Sequence, residues 1–194
     1  MISEAPDIEY RRHSGEQSDE LVEQLAAVFA EVYAEPPYHF GSDEVTLFRE
    51  RFDVQRQQGG FSMVTAHSEP ELVGFVFGVT LLPTTGWWSR LLTPAPKGMS
   101  EERPGRTFAV VELVVRIPWR RRGVAWKMHD MLLSDRPEER ATLTARPDAY
   151  AAQAAYAKWG WQKVVQKTNP LPGNPVYDIL TKPLKGGAER LDRR

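Results

Sequence analysis

The sequence predicts an α/β fold in which a mixed sheet is flanked by helices. Strand-like and helix-like segments alternate after residue 100, which is typical of a sheet covered by helices. Short connections join neighbouring strand-like segments near both ends of the chain, which predicts antiparallel pairs there. The chain has 194 residues and no visible internal repeat, so one domain with a buried core is expected.

The predicted strands are short segments rich in apolar residues. A turn over 67–71 separates the segments 61–66 and 72–82, which predicts an antiparallel hairpin. The segment 108–116 is rich in valine, as expected of a buried strand. The full set of predicted strands covers 8–12, 61–66, 72–82, 108–116, 141–145, 161–167 and 176–184.

Four helices are predicted between these strands. The first begins at Asp19, carries apolar residues every three or four positions and stops before Pro36-Pro37. The second begins at Ser42 or Asp43 and ends at Gly59-Gly60. The third and fourth cover 123–134 and 149–158.

Two segments show neither a strand pattern nor a helix pattern. Residues 83–106 form a long loop with four prolines and three glycines, and loops of this length are often functional. Trp87-Trp88, within this loop, is expected on a short helical turn. Residues 185–194 are charged and are expected to be a frayed tail, so the predicted domain covers 1–184.

The composition excludes several classes of function. The formal net charge is −1, so no general attraction to nucleic acid or to an anionic membrane is expected. The chain has no cysteine, which removes disulfides, cysteine metal sites and a thiol nucleophile, and we expect no metal. The longest mainly apolar run, 72–82, has 11 residues, whereas a membrane-spanning helix needs about 20. Because the acidic N-terminus is also unlike a signal peptide, we expect a soluble, cytoplasmic protein.

The segment 112–125 runs from a buried strand through an arginine-rich turn into a helix. Gly123 and Ala125 are small, so the unpaired N–H groups at the start of the helix can approach an anion closely. Arg120 to Arg122 add local positive charge. A phosphate site and an ordinary solvated turn both fit this pattern. The segment lacks the Gly-Lys-Ser/Thr ending of a P-loop and the three glycines of a dinucleotide-binding turn.

Two motifs carry a resemblance to a known family. Arg120-Arg-Arg-Gly123-Val-Ala125 resembles the Arg/Gln-x-x-Gly-x-Gly/Ala motif of the GNAT superfamily of N-acetyltransferases. Tyr156-Ala-Lys-Trp-Gly160-Trp161 resembles the Tyr-x-x-x-Gly-Phe that ends the next helix in that family. The resemblance covers 108–184, while the first half matches only in its order of elements. It implies a mostly antiparallel sheet with splayed middle strands and about four flanking helices.

The resemblance also implies the donor, acetyl-CoA, and where it binds. In this family the pantetheine arm pairs with the exposed edge of the fourth strand, and the pyrophosphate contacts backbone N–H groups at the start of the next helix. Carried over to this sequence, the expected cofactor residues are Leu113, Val114, Val115, Arg120, Arg121, Arg122, Gly123, Val124, Ala125 and Trp126.

Transfer of an acetyl group to an amine needs a base, an acid and an oxyanion donor. The resemblance implies that Tyr156 is the general acid, although a tyrosine on this helix can equally be core packing. Glu112 is the candidate general base, and a buried carboxylate with a structural partner is the alternative. The family often has asparagine where this chain has Ala149, so one cofactor contact is in doubt. The rival bases are Glu31, Glu35 and His39.

The acceptor pocket is expected near the segment 35–40 and the Trp87-Trp88 loop. Aromatic rings and carboxylates suit a cationic amine, although tryptophans also fill the cores of small domains. The candidate acceptor-binding residues are Glu31, Glu35, Tyr38, His39, Trp87 and Trp88.

The sequence therefore favours an N-acetyltransferase that acts on a primary amine of a small molecule by direct attack in a ternary complex. The alternatives are acetylation of a protein N-terminus or lysine, and a non-catalytic acyl-CoA-binding module. Homodimers are common among proteins with this resemblance, so the oligomeric state stays open.

Overall fold

The computed structural model describes residues 7–171 and 173–185. The strands in this part of the chain are β1 (Glu9–His13), β2 (Ser62–Ser68), β3 (Glu71–Thr80), β4 (Thr107–Val115), β5 (Arg140–Ala145), β6 (Gln162–Thr168) and β7 (Val176–Pro183). The α-helices are α1 (Val22–Tyr33), α2 (Ser42–Arg56), α3 (Val124–Leu133) and α4 (Tyr150–Lys158), with 3-10 turns at Asp19–Leu21 and Ile117–Trp119.

The strands form one sheet in the order β1-β2-β3-β4-β5-β7-β6. The pairs β1–β2, β2–β3, β5–β7 and β6–β7 are antiparallel, and β4–β5 is parallel. The predicted α/β class with a mixed, mostly antiparallel sheet and about four helices is thus confirmed. The splay of the middle strands stays a prediction.

The described chain forms two compact units. The first contains the residues up to Val79 together with Glu112–Ser134, and the second contains Thr80–Val111 together with the residues from Asp135 onward. Each unit has its own buried residues.

Phenylalanines from helices and strands build the core of the first unit. Phe48 of α2 stacks on Phe29 of α1 at 4.4 Å between ring centroids. Phe52 meets Phe77 of β3 edge-on at 5.0 Å. At Gly74, on the opposite face of β3, an added Cβ would lie 3.1 Å from Cε of Met128 in α3. Since side chains alternate along a strand, α2 and α3 cover opposite faces of β3.

A buried carboxylate in the second unit anchors the long loop that precedes β4. Glu102 accepts hydrogen bonds of 2.9 Å from Trp88 Nε1, Thr107 Oγ1 and Arg140 Nη2. Trp88 packs with Val165 and Ile179 in a core cluster. The loop is therefore fixed by its own polar and apolar contacts within this unit, although it contains neither strand nor helix among its described residues.

The structure differs from two local predictions. Asp19 opens a 3-10 turn, and the α-helix begins three residues later at Val22. Trp87 and Trp88 lie in a turn and not in a helix. In the predicted tail, residues 186–194 lie outside the described residues. None of the described helices has both the length and the apolar character that crossing a membrane requires.

Candidate functional site

The middle of β4 is less buried than its ends. Residues 107–110 and 114–115 are buried, but residues 111–113 are partly exposed. The strand lies at the centre of the sheet order, where burial along its whole length would be expected. β4 pairs with β5 through Thr107–Ala109, before this exposed stretch. Three central residues of β4 are therefore accessible.

The chain leaves β4 through a loop with two left-handed residues. Arg116 N–H donates to the carbonyl of Val73 at 2.9 Å, which extends the contact with β3 beyond the strand. After a 3-10 turn, Arg121 has φ 61° and Gly123 has φ 80°. Arg120 before this loop segment is extended, whereas the left-handed Gly123 is followed directly by the right-handed residues of α3. A left-handed residue next to a right-handed one turns successive N–H groups toward a common concavity that binds anions.

The loop runs directly into the N-terminus of α3. The first helical hydrogen bond runs from Lys127 N–H to the carbonyl of Gly123, at 2.9 Å. The N–H groups of Val124 and Ala125 precede it, so the helix itself offers them no acceptor. The positive end of the helix dipole adds to this preference for an anion.

The arginines of the loop have different roles. Arg120 donates from Nε to the carbonyl of Val115 at 3.0 Å. The guanidinium of Arg122 lies over the ring of Trp119, 5.3 Å from its centroid. Arg121 is exposed. Arg120 thus ties the loop to β4, while Arg121 and Arg122 leave positive charge at the surface.

Gly123 is required by its backbone conformation. A Cβ added there would meet no heavy atom of the described residues within 4 Å, but φ 80° is a conformation that other residues rarely adopt. The sequence predicts a second reason for glycine here, namely that a small residue lets an anion approach the backbone. The open space around Gly123 would hold that anion, and its presence there stays a prediction.

Glu112 points toward the helices α1 and α2. The hydroxyl of Tyr33 donates to Glu112 Oε2 at 2.8 Å. Burial raises the pKa of Glu112, while the charge of Arg51 and the bond from Tyr33 partly oppose the rise. Glu112 therefore lies on the face of β4 that is turned toward α1. The sequence alone does not decide between the two faces of the strand.

Tyr33 is not among the site residues that the sequence predicts. Its ring packs against Phe29 at 4.5 Å, Tyr38 at 4.6 Å and Phe40 at 5.3 Å between centroids. The i, i+4 spacing from Phe29 places Tyr33 on the buried side of α1, which was the available signal. Its partner 79 residues later could not be read from local pattern.

The other acceptor candidates in the first unit lie around the end of α1. Glu31 pairs with Arg116, with 3.4 Å between Oε2 and Nε. Glu35 and His39 are exposed, and the Glu35 carbonyl accepts the N–H groups of Tyr38 and His39. Tyr38 is thus joined to Glu112 through Tyr33, while Glu31 is engaged by a cation.

The predicted acid lies in the second unit. The ring of Tyr156 on α4 packs edge-on against Trp159 at 5.7 Å and Trp161 at 6.1 Å. The Trp161 N–H donates to the carbonyl of Tyr156 at 3.0 Å. These contacts locate the ring, and its role as an acid stays a prediction.

The two tryptophans of the long loop are held inside the second unit. Trp87 Nε1 donates to Thr142 Oγ1 at 3.2 Å, and its carbonyl accepts from Lys167 Nζ at 2.5 Å. Trp88 is buried in the core cluster with its indole bonded to Glu102. These contacts give Trp88 a packing role and lend its predicted acceptor role no support.

Ala149, where the family often has asparagine, is buried just before α4. Its neighbour Asp148 is held by Arg146 through hydrogen bonds of 2.9 and 2.6 Å. Within residues 7–171 and 173–185, no three His, Asp or Glu side chains come together as metal ligands would.

No model of a known protein family matches the chain, and no curated protein matches it in sequence. Solved structures match it in fold. A protein of the GNAT family from Desulfovibrio desulfuricans has a TM-score of 0.64 at 11% identity, covering 91% of this chain and 99% of that chain. The PaiA N-acetyltransferase of Thermoplasma acidophilum, in complex with coenzyme A, has a TM-score of 0.56 at 12% identity, and the match covers 91% of this chain and 99% of that chain. The ribosomal-protein-S18-alanine N-acetyltransferase of Escherichia coli has a TM-score of 0.58 at 14% identity, and the match covers 91% of this chain and 94% of that chain.

This chain has the GNAT fold. The match confirms, at the level of fold, the resemblance carried by the motifs at 120–125 and 156–161. It also extends that resemblance to the first half of the chain, because more than nine-tenths of the chain is covered. Identities this low show the fold, so the activity is a separate question.

Proposed function

We propose that this chain transfers the acetyl group of acetyl-CoA to an amine. The observation that carries the proposal is the loop into α3, with left-handed residues at Arg121 and Gly123 and a helix N-terminus behind them. This is an anion cradle built mainly from backbone N–H groups, and it follows directly on β4. A pyrophosphate is an anion of the right kind for it.

The donor would lie along β4 and across the loop. Leu113 lies at the end of the partly exposed stretch of β4, and Val114 and Val115 follow it as buried residues. The exposure at Leu113 supports a pantetheine arm that pairs with the backbone of Leu113, Val114 and Val115 like an added strand. The pyrophosphate would bind the N–H groups between Arg121 and Trp126. The bond from Arg120 to Val115 keeps these two parts of the donor site together.

The chemical step is attack of the amine nitrogen on the thioester carbon. The new C–N bond forms and the C–S bond breaks, while one proton leaves the nitrogen and one reaches the sulfur. Glu112 takes the first proton, since its raised pKa brings a carboxylate closer to a useful base strength. Tyr156 gives a proton to the thiolate, a role supported by the resemblance of 156–161. An N–H near Val115 stabilises the oxyanion.

A small-molecule amine is the first candidate acceptor. The carboxylates of Glu35 and Glu112 and the aromatic group of Tyr33, Tyr38 and Phe40 at the end of α1 suit a cation. A protein acceptor is the second candidate, because a structural neighbour acts on an alanine of a ribosomal protein.

The test is release of free coenzyme A from acetyl-CoA, followed with a thiol reagent, on a panel of polyamines, aminoglycosides and peptides with free N-termini. Release with small amines supports the first candidate, and release with peptides alone supports the second. Tight binding of acetyl-CoA by calorimetry, with no release on any amine, would support the binding module. Absence of acetyl-CoA binding would overturn the whole proposal.

A further inference from the structure

The hydrogen bond from Tyr33 to Glu112 joins α1 to the middle of β4. The hydroxyl and Oε2 are 2.8 Å apart, and the two residues are separated by 79 positions in sequence. Glu112 is the only titratable residue in β4. The bond therefore reaches the one side chain of this strand that can exchange a proton.

Packing around the ring leaves the Tyr33 hydroxyl little freedom. Phe29 and Phe40 lie at 4.5 and 5.3 Å, and Tyr38 meets it edge-on at 4.6 Å. A tyrosine fixed in this way holds its hydroxyl at one place, because rotation of the ring about its axis does not move the oxygen. The carboxylate that accepts from it is then held in one orientation.

Within residues 7–171 and 173–185, two groups act on the ionisation of Glu112. Tyr33 faces it from α1, and Arg51 acts on it from α2. The only titratable residue of β3, Glu71, is bonded to Arg116 at 2.5 Å. Burial raises the pKa of Glu112 against these two influences, so removing the Tyr33 bond would raise it further.

We propose that Tyr33 is a positioning residue that holds the carboxylate of Glu112 ready to take the proton of the acceptor amine. The inference rests on the proposed acetyl transfer and adds a residue that neither sequence motif contains. A purely structural tyrosine would stabilise the fold without changing how the reaction depends on pH.

The test variant is Tyr33→Phe, which keeps the ring and its packing and removes only the hydroxyl. Without the bond the carboxylate loses a stabilising donor, so the acid limb of the kcat/KM profile should move to higher pH by about one unit. At the acid end this is roughly a tenfold loss, and it should shrink toward high pH. The affinity for acetyl-CoA should not change.

Two measurements separate the outcomes. Carbon-13 NMR of glutamate-labelled protein, with Glu112→Gln to assign the resonance, should show the Glu112 titration moving upward in Tyr33→Phe. Tyr10→Phe on β1 removes a hydroxyl from the same unit and should leave both profiles unchanged. If the wild-type chain transfers acetyl and Tyr33→Phe lowers turnover equally at every pH, or leaves it unchanged, Tyr33 has no positioning role. If the wild-type chain transfers no acetyl group, the proposed function fails and this role fails with it.

Discussion

Arg120 donates a hydrogen bond of 3.0 Å from its Nε to the carbonyl of Val115. The bond ties the segment 116–120 back onto the last residue of β4. The sequence suggested that Arg120 would contribute charge to a phosphate site. The contact indicates that it also shapes the loop on which the backbone N–H groups lie.

Replacing Arg120 should therefore weaken acetyl-CoA binding through the loop geometry as well as through charge. Arg120→Ala should raise the Kd about five- to tenfold, which corresponds to the loss of about 1 kcal/mol from one partly exposed hydrogen bond. Isothermal titration calorimetry with acetyl-CoA measures this Kd. Arg49→Ala on α2 removes an equal charge from an exposed pair with Glu23 and should have little effect. If both variants raise the Kd equally, Arg120 contributes to acetyl-CoA binding only through its charge and not through the geometry of the loop.

Gly123 offers a sharper test of the anion cradle. Gly123→Ala forces a Cβ into φ 80° and should cost about 1–2 kcal/mol of stability. Gly98 has φ 75° and, among the described residues, equally open surroundings, so Gly98→Ala should lose similar stability. If the loop binds pyrophosphate, Gly123→Ala should weaken acetyl-CoA binding and Gly98→Ala should not. A bulky residue at 123 should weaken it strongly. Unchanged affinity in both Gly123 variants would remove the pyrophosphate assignment.

Much of the fold and the strand–loop–helix order of the candidate site could be predicted because their signals are local. The valines of β4 and the small residues after Arg122 lie within one short stretch of chain. The bond between Tyr33 and Glu112 depends on which face of β4 turns toward α1, which tertiary packing decides. The burial of Trp88 likewise depends on Glu102 and Arg140, residues that no periodicity connects.

Tyr156→Phe tests the proposed acid. The ring contacts with Trp159 and Trp161 should survive, so stability and acetyl-CoA affinity should change little. Turnover should fall by roughly 10²–10⁴-fold if the hydroxyl protonates the thiolate. Tyr150→Phe, at a side chain 79% exposed on the same helix, is the matched control. An unchanged kcat across pH would take Tyr156 out of the acid role.

Glu102→Ala should destabilise the second unit. The Glu102 side chain is 1% exposed and accepts bonds from Trp88, Thr107 and Arg140. Its removal leaves the Arg140 guanidinium buried without this partner, at a cost of about 3–5 kcal/mol. Urea denaturation would give the free energy of unfolding. Glu101→Ala, one residue earlier and exposed, should change it by less than about 0.5 kcal/mol. A loss below 1 kcal/mol at Glu102 would mean that solvent reaches Arg140.

Glu112→Gln should separate activity from stability. Burial raises the folded-state pKa of Glu112 above its unfolded value of 4.5. A group of this kind contributes stability that is fully present below the unfolded pKa and is lost as pH rises through the folded pKa. Above the unfolded pKa, Glu112 therefore destabilises the fold relative to a neutral amide at the same position. Glu112→Gln should melt at a higher temperature than the wild type at pH 7, with the difference shrinking toward pH 4, while acetyl transfer falls. Differential scanning calorimetry at pH 7 and pH 4 measures the two melting temperatures. A lower melting temperature at pH 7 would show that the bond from Tyr33 and the charge of Arg51 outweigh the burial of the carboxylate.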